Sequence, residues 1–550
     1  MDKIWWKESV VYQIYPRSFK DSNNDGIGDL PGIIGKLDYI KSLGIDIIWI
    51  CPIYKSPNDD NGYDVSDYCE IMDEFGTMED FDLLLNEVHH REMKLVLDLV
   101  PNHTSDEHRW FEEAKKSRDN PYRDYYYWKP GRDGGPPNNW QSFFGGSAWE
   151  YESESEEYYL HLFTKKQPDL NWENPKVREE IYKIIEFWFE KGIDGFRMDV
   201  ISLISKNLSF PDTTEKDFGQ VIKKLYANGP RVHEFIREMN DRVLSKYEIM
   251  TVGEGPGIDL INGPDYVAPH RNELNMIFHF DHMFLGHGPG GKFDPVEWNL
   301  KEFKDTFTKW DKQLDNNGWG SIFLGNHDFA RIVSRFGNDD QYHKESAKLL
   351  ATLLLSLRGT VYIYQGDEIG MTNVAFPSID DYRDVEIKNG WNEALAAGKD
   401  MEKFLNGVHA QGRDNARTPI QWSAEKHGGF SNVQPWIQVN PNHDQINVDL
   451  QENDPDSILN YYRIMIQFRK DHPTLVYGHY ECIMETDENI YAYIRSDEQH
   501  QYLILLNFSN AHLTVEHTVD GNIIQLIGNY TEAIDFWKLR PWESKILAIS

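Results

Sequence analysis

Gly195-Phe196-Arg197-Met198-Asp199-Val200 is an apolar run that carries an arginine and an aspartate on alternate positions. Residues two apart on a strand point to the same side, so Arg197 and Asp199 share one face. Charge in an apolar strand is costly unless it is paired or functional. That makes Asp199 the candidate nucleophile around which the chain is arranged. A helical pattern over residues 177–191 leads into this strand, and apolar runs at 10–16, 45–52 and 94–100 precede it. Helical patterns at 30–43, closed by Gly44, and at 78–91 separate those runs. Further strand candidates follow at 248–254, 275–280, 321–328 and 360–366.

Strands alternating with helices are the signature of parallel βα units, and eight strands are the number that closes a (β/α)8 barrel. The expected fold class is therefore α/β, a TIM barrel formed by residues 1–103 and 173–478. An inserted loop-rich domain after the third strand, 104–172, is rich in turn formers and aromatics and is placed to wall a pocket. Short alternating strands over 479–550 predict a C-terminal all-β domain, a β-sandwich.

The 550 residues carry 90 acids against 56 bases, a net charge of -34. Such a chain repels nucleic acid and anionic membranes. Cys51, Cys69 and Cys482 are too few for a disulfide framework and fit a reducing compartment. Residues 1–6 lack the basic-then-apolar order of a signal peptide, and no apolar run reaches about 18 residues. The expectation is a cytoplasmic protein, a monomer or a dimer, with no nucleic-acid or membrane partner. Aromatics make up 13% of the chain; most serve core packing, and the surplus suits flat ligand faces.

Polar residues gather at the C-terminal ends of the predicted strands: Asn102 and His103, Asp199, Glu254, His327 and Asp328. The active sites of this barrel lie on that face. Two carboxylates about 5 Å apart are the geometry of a retaining glycosidase, one acting as nucleophile and one as acid/base. The acid has to keep its proton near neutral pH, which a neighbouring anion and a partly dry pocket favour, while Arg197 keeps Asp199 ionised. A catalytic metal held by the three acids and structural ion pairing are the alternatives. No His-x-x-x-His pair accompanies the acids, and Arg197 would compete with a cation. Separately, Asp21, Asn23, Asp25, Asp29 and the carbonyl of Ile27 place oxygens at every second position of one loop, a set that cages Ca2+. Gly32 stands where an EF-hand has its bidentate glutamate, and an Asx-turn loop without metal is the competing reading.

The ordered motifs Asp98-Leu99-Val100-Pro101-Asn102-His103, Gln167-Pro168-Asp169-Leu170-Asn171, Gly195 to Val200, Gly253-Glu254 and Asn326-His327-Asp328 resemble the α-amylase family of glycoside hydrolases over essentially the whole chain. Within it they resemble the oligo-1,6-glucosidase and α-glucosidase branch. The resemblance implies a retaining, exo-acting α-glucosidase that prefers α-1,6 bonds and needs no organic cofactor. Asp199 corresponds to the nucleophile, Glu254 to the acid/base and Asp328 to the acid that grips the 2- and 3-hydroxyls. His103 and His327 correspond to hydroxyl donors, Asp60 and Arg413 to a clamp on the terminal glucose, and Tyr63 and Phe163 to stacking rings. Gln167 and Arg197 belong to the same motifs as further binding residues, and Glu386 to an acceptor-side carboxylate. Val200 corresponds to the position where valine accompanies α-1,6 specificity, and the 21–29 loop to a calcium loop of this branch. Gly255 and Phe329-Ala330 depart from the branch pattern beside the acceptor site. Sucrose isomerases are close relatives, although their arginine-rich loop is replaced here by His282-Met283-Phe284-Leu285-Gly286, so isomerisation or transglucosylation of sucrose-type disaccharides is the second expectation. A non-catalytic binding homologue, a class that has lost the acids, is the third.

Overall fold

The computed structural model describes residues 3–516, 521–532 and 535–550, so Met1 and Asp2 and part of the predicted C-terminal domain lie outside the described residues. Eight parallel strands form the centre: β1 (Val10–Ile14), β2 (Ile47–Ile50), β3 (Lys94–Leu99), β4 (Gly195–Met198), β5 (Met250–Glu254), β6 (Met276–Phe278), β7 (Ser321–Ile322) and β8 (Thr360–Tyr364). Their hydrogen-bonded order is β6-β5-β4-β3-β2-β1-β8-β7. The Ser321 hydroxyl donates to the Ile277 carbonyl at 2.6 Å, joining β7 to β6 where the ladder is missing. The result is a nearly closed TIM barrel, as the spacing of the apolar runs predicts.

Both faces of the strands are buried, which is why they read as unbroken apolar runs. Val11, Ile47, Trp49, Val96, Val252, Met276 and Tyr362 pack in one cluster inside the barrel. Their sequence neighbours, such as Tyr12, Ile48, Leu95 and Ile277, join the cluster shared with the surrounding helices. Gly195 opens β4 because nothing larger fits: an added Cβ would meet the Met250 carbonyl at 2.1 Å.

One predicted element is interrupted. The helix expected over 30–43 is two pieces, Leu30–Ile34 and Leu37–Ser42, split at Gly35 and Lys36. Pro31, Gly32 and Gly35 in six residues are weak helix formers, and Gly32 packs directly on the Lys20 carbonyl.

Between β3 and β4 lies a three-stranded antiparallel sheet of Trp128–Lys129, Glu157–Leu160 and Trp149–Glu152. The C-terminal part is a five-stranded antiparallel sheet with a separate two-stranded ribbon, Leu513–Thr514 with Lys538–Leu539. One face of that sheet docks on the helix His343–Ser356, where Tyr493 bonds to Ser356 at 2.6 Å and Ser544 to Thr352 at 2.9 Å.

Candidate active site

β3 and β4 pair with Asp98 opposite Arg197 and Val96 opposite Gly195. This register sends both charged side chains into the mouth of the barrel. The chain turns just past Met198: the Asp199 amide still bonds the Leu99 carbonyl at 2.8 Å, and Val200 adopts φ 35 and ψ 41. A β-branched residue in the left-handed region is an outlier, with strain of about 1–3 kcal/mol. The turn aims the Val200 amide at Glu254, with N to Oε2 at 3.0 Å.

The Arg197 guanidinium is the hub of the site and is only 2% exposed. Nη1 lies 2.6 Å from Asp98 and 2.7 Å from Asp199, and Nη2 lies 2.9 Å from Glu254. Arg197 thus serves three carboxylates, where the sequence reading gave it one. Burial pushes the Asp199 carboxyl well above the usual carboxylate range; Arg197 opposes this, and Glu254 and Asp98 add to it. Burial raises Asp98 to about 6. At both Asp98 and Asp199 the Arg197 charge opposes the effect of burial.

Asp328 follows β7 and takes charge from the opposite wall. Burial works against its charge, yet His327, Arg413 and Arg417 hold its carboxyl far below the usual range. Its Oδ1 is 3.1 Å from Arg417 and 3.3 Å from Arg413. Gln13 donates from Nε2 to His327 Nδ1 at 2.8 Å, which assigns the ring proton to Nε2, 3.1 Å from Asp328. The His327 ring stacks on Tyr63 at 5.3 Å, with 5° between planes. Burial lowers His327 to about 3 and His103 to about 4, so both are neutral imidazoles near pH 7.

Arg413 grips Asp384 with Nε and Nη2, and its Nη2 lies 3.5 Å from Asp60. Burial pushes Asp60 up to about 7, with Arg413 and Arg417 pulling against it. Burial also opposes charge on Asp384, but Arg413 and Arg417 lower it to about 2.

Asp60, Tyr63, His103, Phe163, Asp199, Val200, Glu254, His327, Asp328, Glu386 and Arg413 line one cavity of about 1070 Å3. Gln167 and Arg197 are not on its wall. Gln167 is fully buried behind it, donating to Asp60 at 3.2 Å and lying 3.2 Å from the His103 ring. These two residues position others. Asp98, Asp384, Arg417, Gln13 and Lys292 complete the site but were not singled out as site residues from sequence.

The 21–29 loop stands apart from this cavity. Asp21 accepts from the amides of Asn23, Asn24 and Gly26 and from Ser431, and Asp29 from Ser22 and Gly32. Asp25 accepts from Asn23 Nδ2 and the Ile27 amide. The oxygens are the hard donors Ca2+ takes, but they face loop donors, and among the described residues no group of three or more His, Cys, Asp or Glu side chains is arranged to hold a metal.

Comparison with known proteins agrees with this geometry. Residues 13–478 match the family model for the α-amylase catalytic domain. The chain is 55% identical to an oligo-1,6-glucosidase of Parageobacillus thermoglucosidasius and 53% identical to one of Bacillus cereus, over 100% of each chain. Among solved structures, an isomaltulose synthase mutant of Erwinia rhapontici NX5 in complex with sucrose is 46% identical over 100% of both chains, with a TM-score of 0.96. By family model, full-length relatives and fold alike, this chain belongs to the α-amylase family of glycoside hydrolases.

Proposed function

We propose that the protein is a retaining, exo-acting α-glucosidase that releases glucose from the non-reducing end of short α-glucosides and prefers α-1,6 bonds. The observation that carries this reading is the placement of Asp199 and Glu254 on the two nitrogens of one guanidinium. Carboxyls held side by side suit a retaining pair, about 5 Å apart, better than an inverting pair, whose carboxyls stand about 6.5–9.5 Å apart.

In this reading Asp199 attacks the anomeric carbon while Glu254 protonates the departing oxygen. A glucosyl ester forms on Asp199. Glu254, now a carboxylate, takes a proton from water, and that water releases glucose with its configuration retained. Asp328, kept anionic by its two arginines, accepts from ring hydroxyls, and His327 donates from Nε2. Asp60 and Arg413 close the glucose end of the cavity, which limits cleavage to chain ends. Residues 104–172 act as the pocket wall through Phe143, Phe144 and Phe163, and 479–550 form the separate β domain.

A second reading, isomerisation or transglucosylation of sucrose-type disaccharides, is supported by the likeness to the isomaltulose synthase. Product analysis separates the two. Isomaltose is expected to yield glucose faster than maltose does, and Val200→Thr to shift that preference towards maltose. Conversion of sucrose mainly to an isomeric disaccharide would contradict the main reading.

The same proposal places Ca2+ at the 21–29 loop, where Asp21, Asn23, Asp25, Asp29 and the carbonyl of Ile27 would hold it. It also places the enzyme in the cytoplasm as a monomer or dimer. All three cysteines are free thiols, and among the described residues no helix is long and apolar enough to cross a membrane.

A further inference from the structure

A second cleft, of about 410 Å3, opens beside the hairpin that follows β6 and shares no lining residue with the catalytic cavity. Arg335, on the helix Ile332–Phe336, lines it and is only 7% exposed. Its Nη2 donates to the carbonyls of Met283 at 2.8 Å and Leu285 at 3.3 Å, and Nη1 meets only the Met283 sulfur at 4.0 Å. Among the described residues Nε donates to nothing and no carboxylate pairs with the guanidinium. Arg469 and Arg495 are also buried without an ion pair, but they are saturated by backbone, with four carbonyls around the first and five around the second. Burial lowers Arg335 to about 9, so it is still charged at neutral pH. The rings of Phe336 at 4.7 Å and Phe329 at 5.4 Å offset part of the cost of that charge, and no anion offsets the rest. On the same lining, Gln411 ends the helix Met401–Gln411 and is also 7% exposed. Its Oε1 is buried without a partner. Ser334 accepts the Asn373 amide at 2.9 Å and keeps its hydroxyl proton to give. The lining also holds Val296, 51% exposed, and Trp298, half-buried. Asp339 is its one carboxylate and lies exposed, unpaired with Arg335.

A buried cation without a counter-ion and a buried amide without a partner are each costly, and both costs vanish when one anion meets the two groups. The guanidinium fork matches a carboxylate better than it matches a spherical ion. The oxygen and nitrogen of the Gln411 amide exchange by a half-turn, so that side chain can offer a donor to the same anion. A bare inorganic anion would leave Val296 and Trp298 in water, whereas a carboxylate with an apolar body covers them. We infer that this cleft is a binding site for a small organic monocarboxylate, whose carboxylate meets Arg335, Gln411 and Ser334 and whose apolar part lies on Val296 and Trp298. The site is separate from the catalytic cavity, and the inference goes beyond the glucosidase reading without depending on it. No bond is made or broken there.

Titration calorimetry on the full chain at fixed ionic strength tests it with four probes: hexanoate, its neutral isostere hexanamide, acetate and inorganic phosphate. Hexanoate is expected to bind with a Kd of about 1 mM or tighter. Hexanamide lacks the charge, and acetate and phosphate lack the apolar body, so each should bind at least about tenfold more weakly. Val296→Asp, at an exposed position, places a like charge beside the ligand and should weaken hexanoate at least about tenfold, and Arg335→Met should abolish its binding. Should Arg335→Met fail to fold, Val296→Asp still decides the matter. Saturating glucose should leave the hexanoate Kd within about twofold, because the two cavities share no wall residue. No saturable binding of hexanoate, parity with any of the other three probes, an unchanged Kd in Val296→Asp, or displacement by glucose would each overturn the site, and none of these results touches the glucosidase reading.

Discussion

Asp60 carries a pocket charge that changes in the neutral range. Burial lifts it to about 7, so it loses its charge as pH falls through that value, and with it the anionic half of the glucose clamp. The two pocket histidines are lowered to about 4 and about 3 and stay neutral from pH 5 to 8, so neither contributes to this limb. The expected outcome is a kcat/KM for isomaltose that falls as pH drops below about 7, and a limb displaced to lower pH in Asp60→Asn. An identical limb in that variant would assign the titration elsewhere. At this scale the sequence was informative where a carboxylate ends an apolar run, as at Asp199, Glu254 and Asp328. It was uninformative for Asp98, which lies inside a strand. The role of Asp98 comes from standing opposite Arg197, and the register between two strands almost 100 residues apart is not written in either one. Arg197 and Gln167 were expected at the sugar and are buried behind the cavity wall. Motif membership marks a residue as part of a site without saying which side of the wall it is on.

At the scale of elements, all eight strands were legible because burial on both faces leaves unbroken apolar runs. Their ends were less so. β7 is only Ser321–Ile322, and the run through Asp328 continues as a loop because it must release His327 and Asp328 towards the cavity. The turn at Val200 has no sequence signal, since a valine with positive φ contradicts local preference. The strain there has a use: it brings the Val200 amide onto Glu254. The 21–29 loop is the opposite case, a clear donor pattern whose oxygens are engaged by loop amides. If Ca2+ occupies it, chelator treatment lowers Tm by a few degrees through the linkage of binding to folding, while turnover at 25 °C changes by less than about twofold. A purified protein that contains no metal and whose Tm ignores both chelator and added Ca2+ would remove the ion from the account.

For the whole molecule, the site exists only because the barrel closes. Asp98 lies within β3, Glu254 ends β5, Asp199 and Asp328 follow β4 and β7, and Arg413 comes from well beyond β8. Gathering three carboxylates around Arg197 costs desolvation; losing that cation would leave buried acids unpaired, a penalty of about 3–5 kcal/mol. The central claim is that Asp199 forms the covalent bond and Glu254 governs its making and breaking. A slow fluorinated glucosyl fluoride, followed by peptide mass spectrometry, tests it most directly. One glucosyl adduct is expected, on the peptide containing Gly195 to Val200 and at Asp199, absent in Asp199→Asn. An adduct on Glu254 or Asp328, or an enzyme inactivated without any adduct, would contradict it.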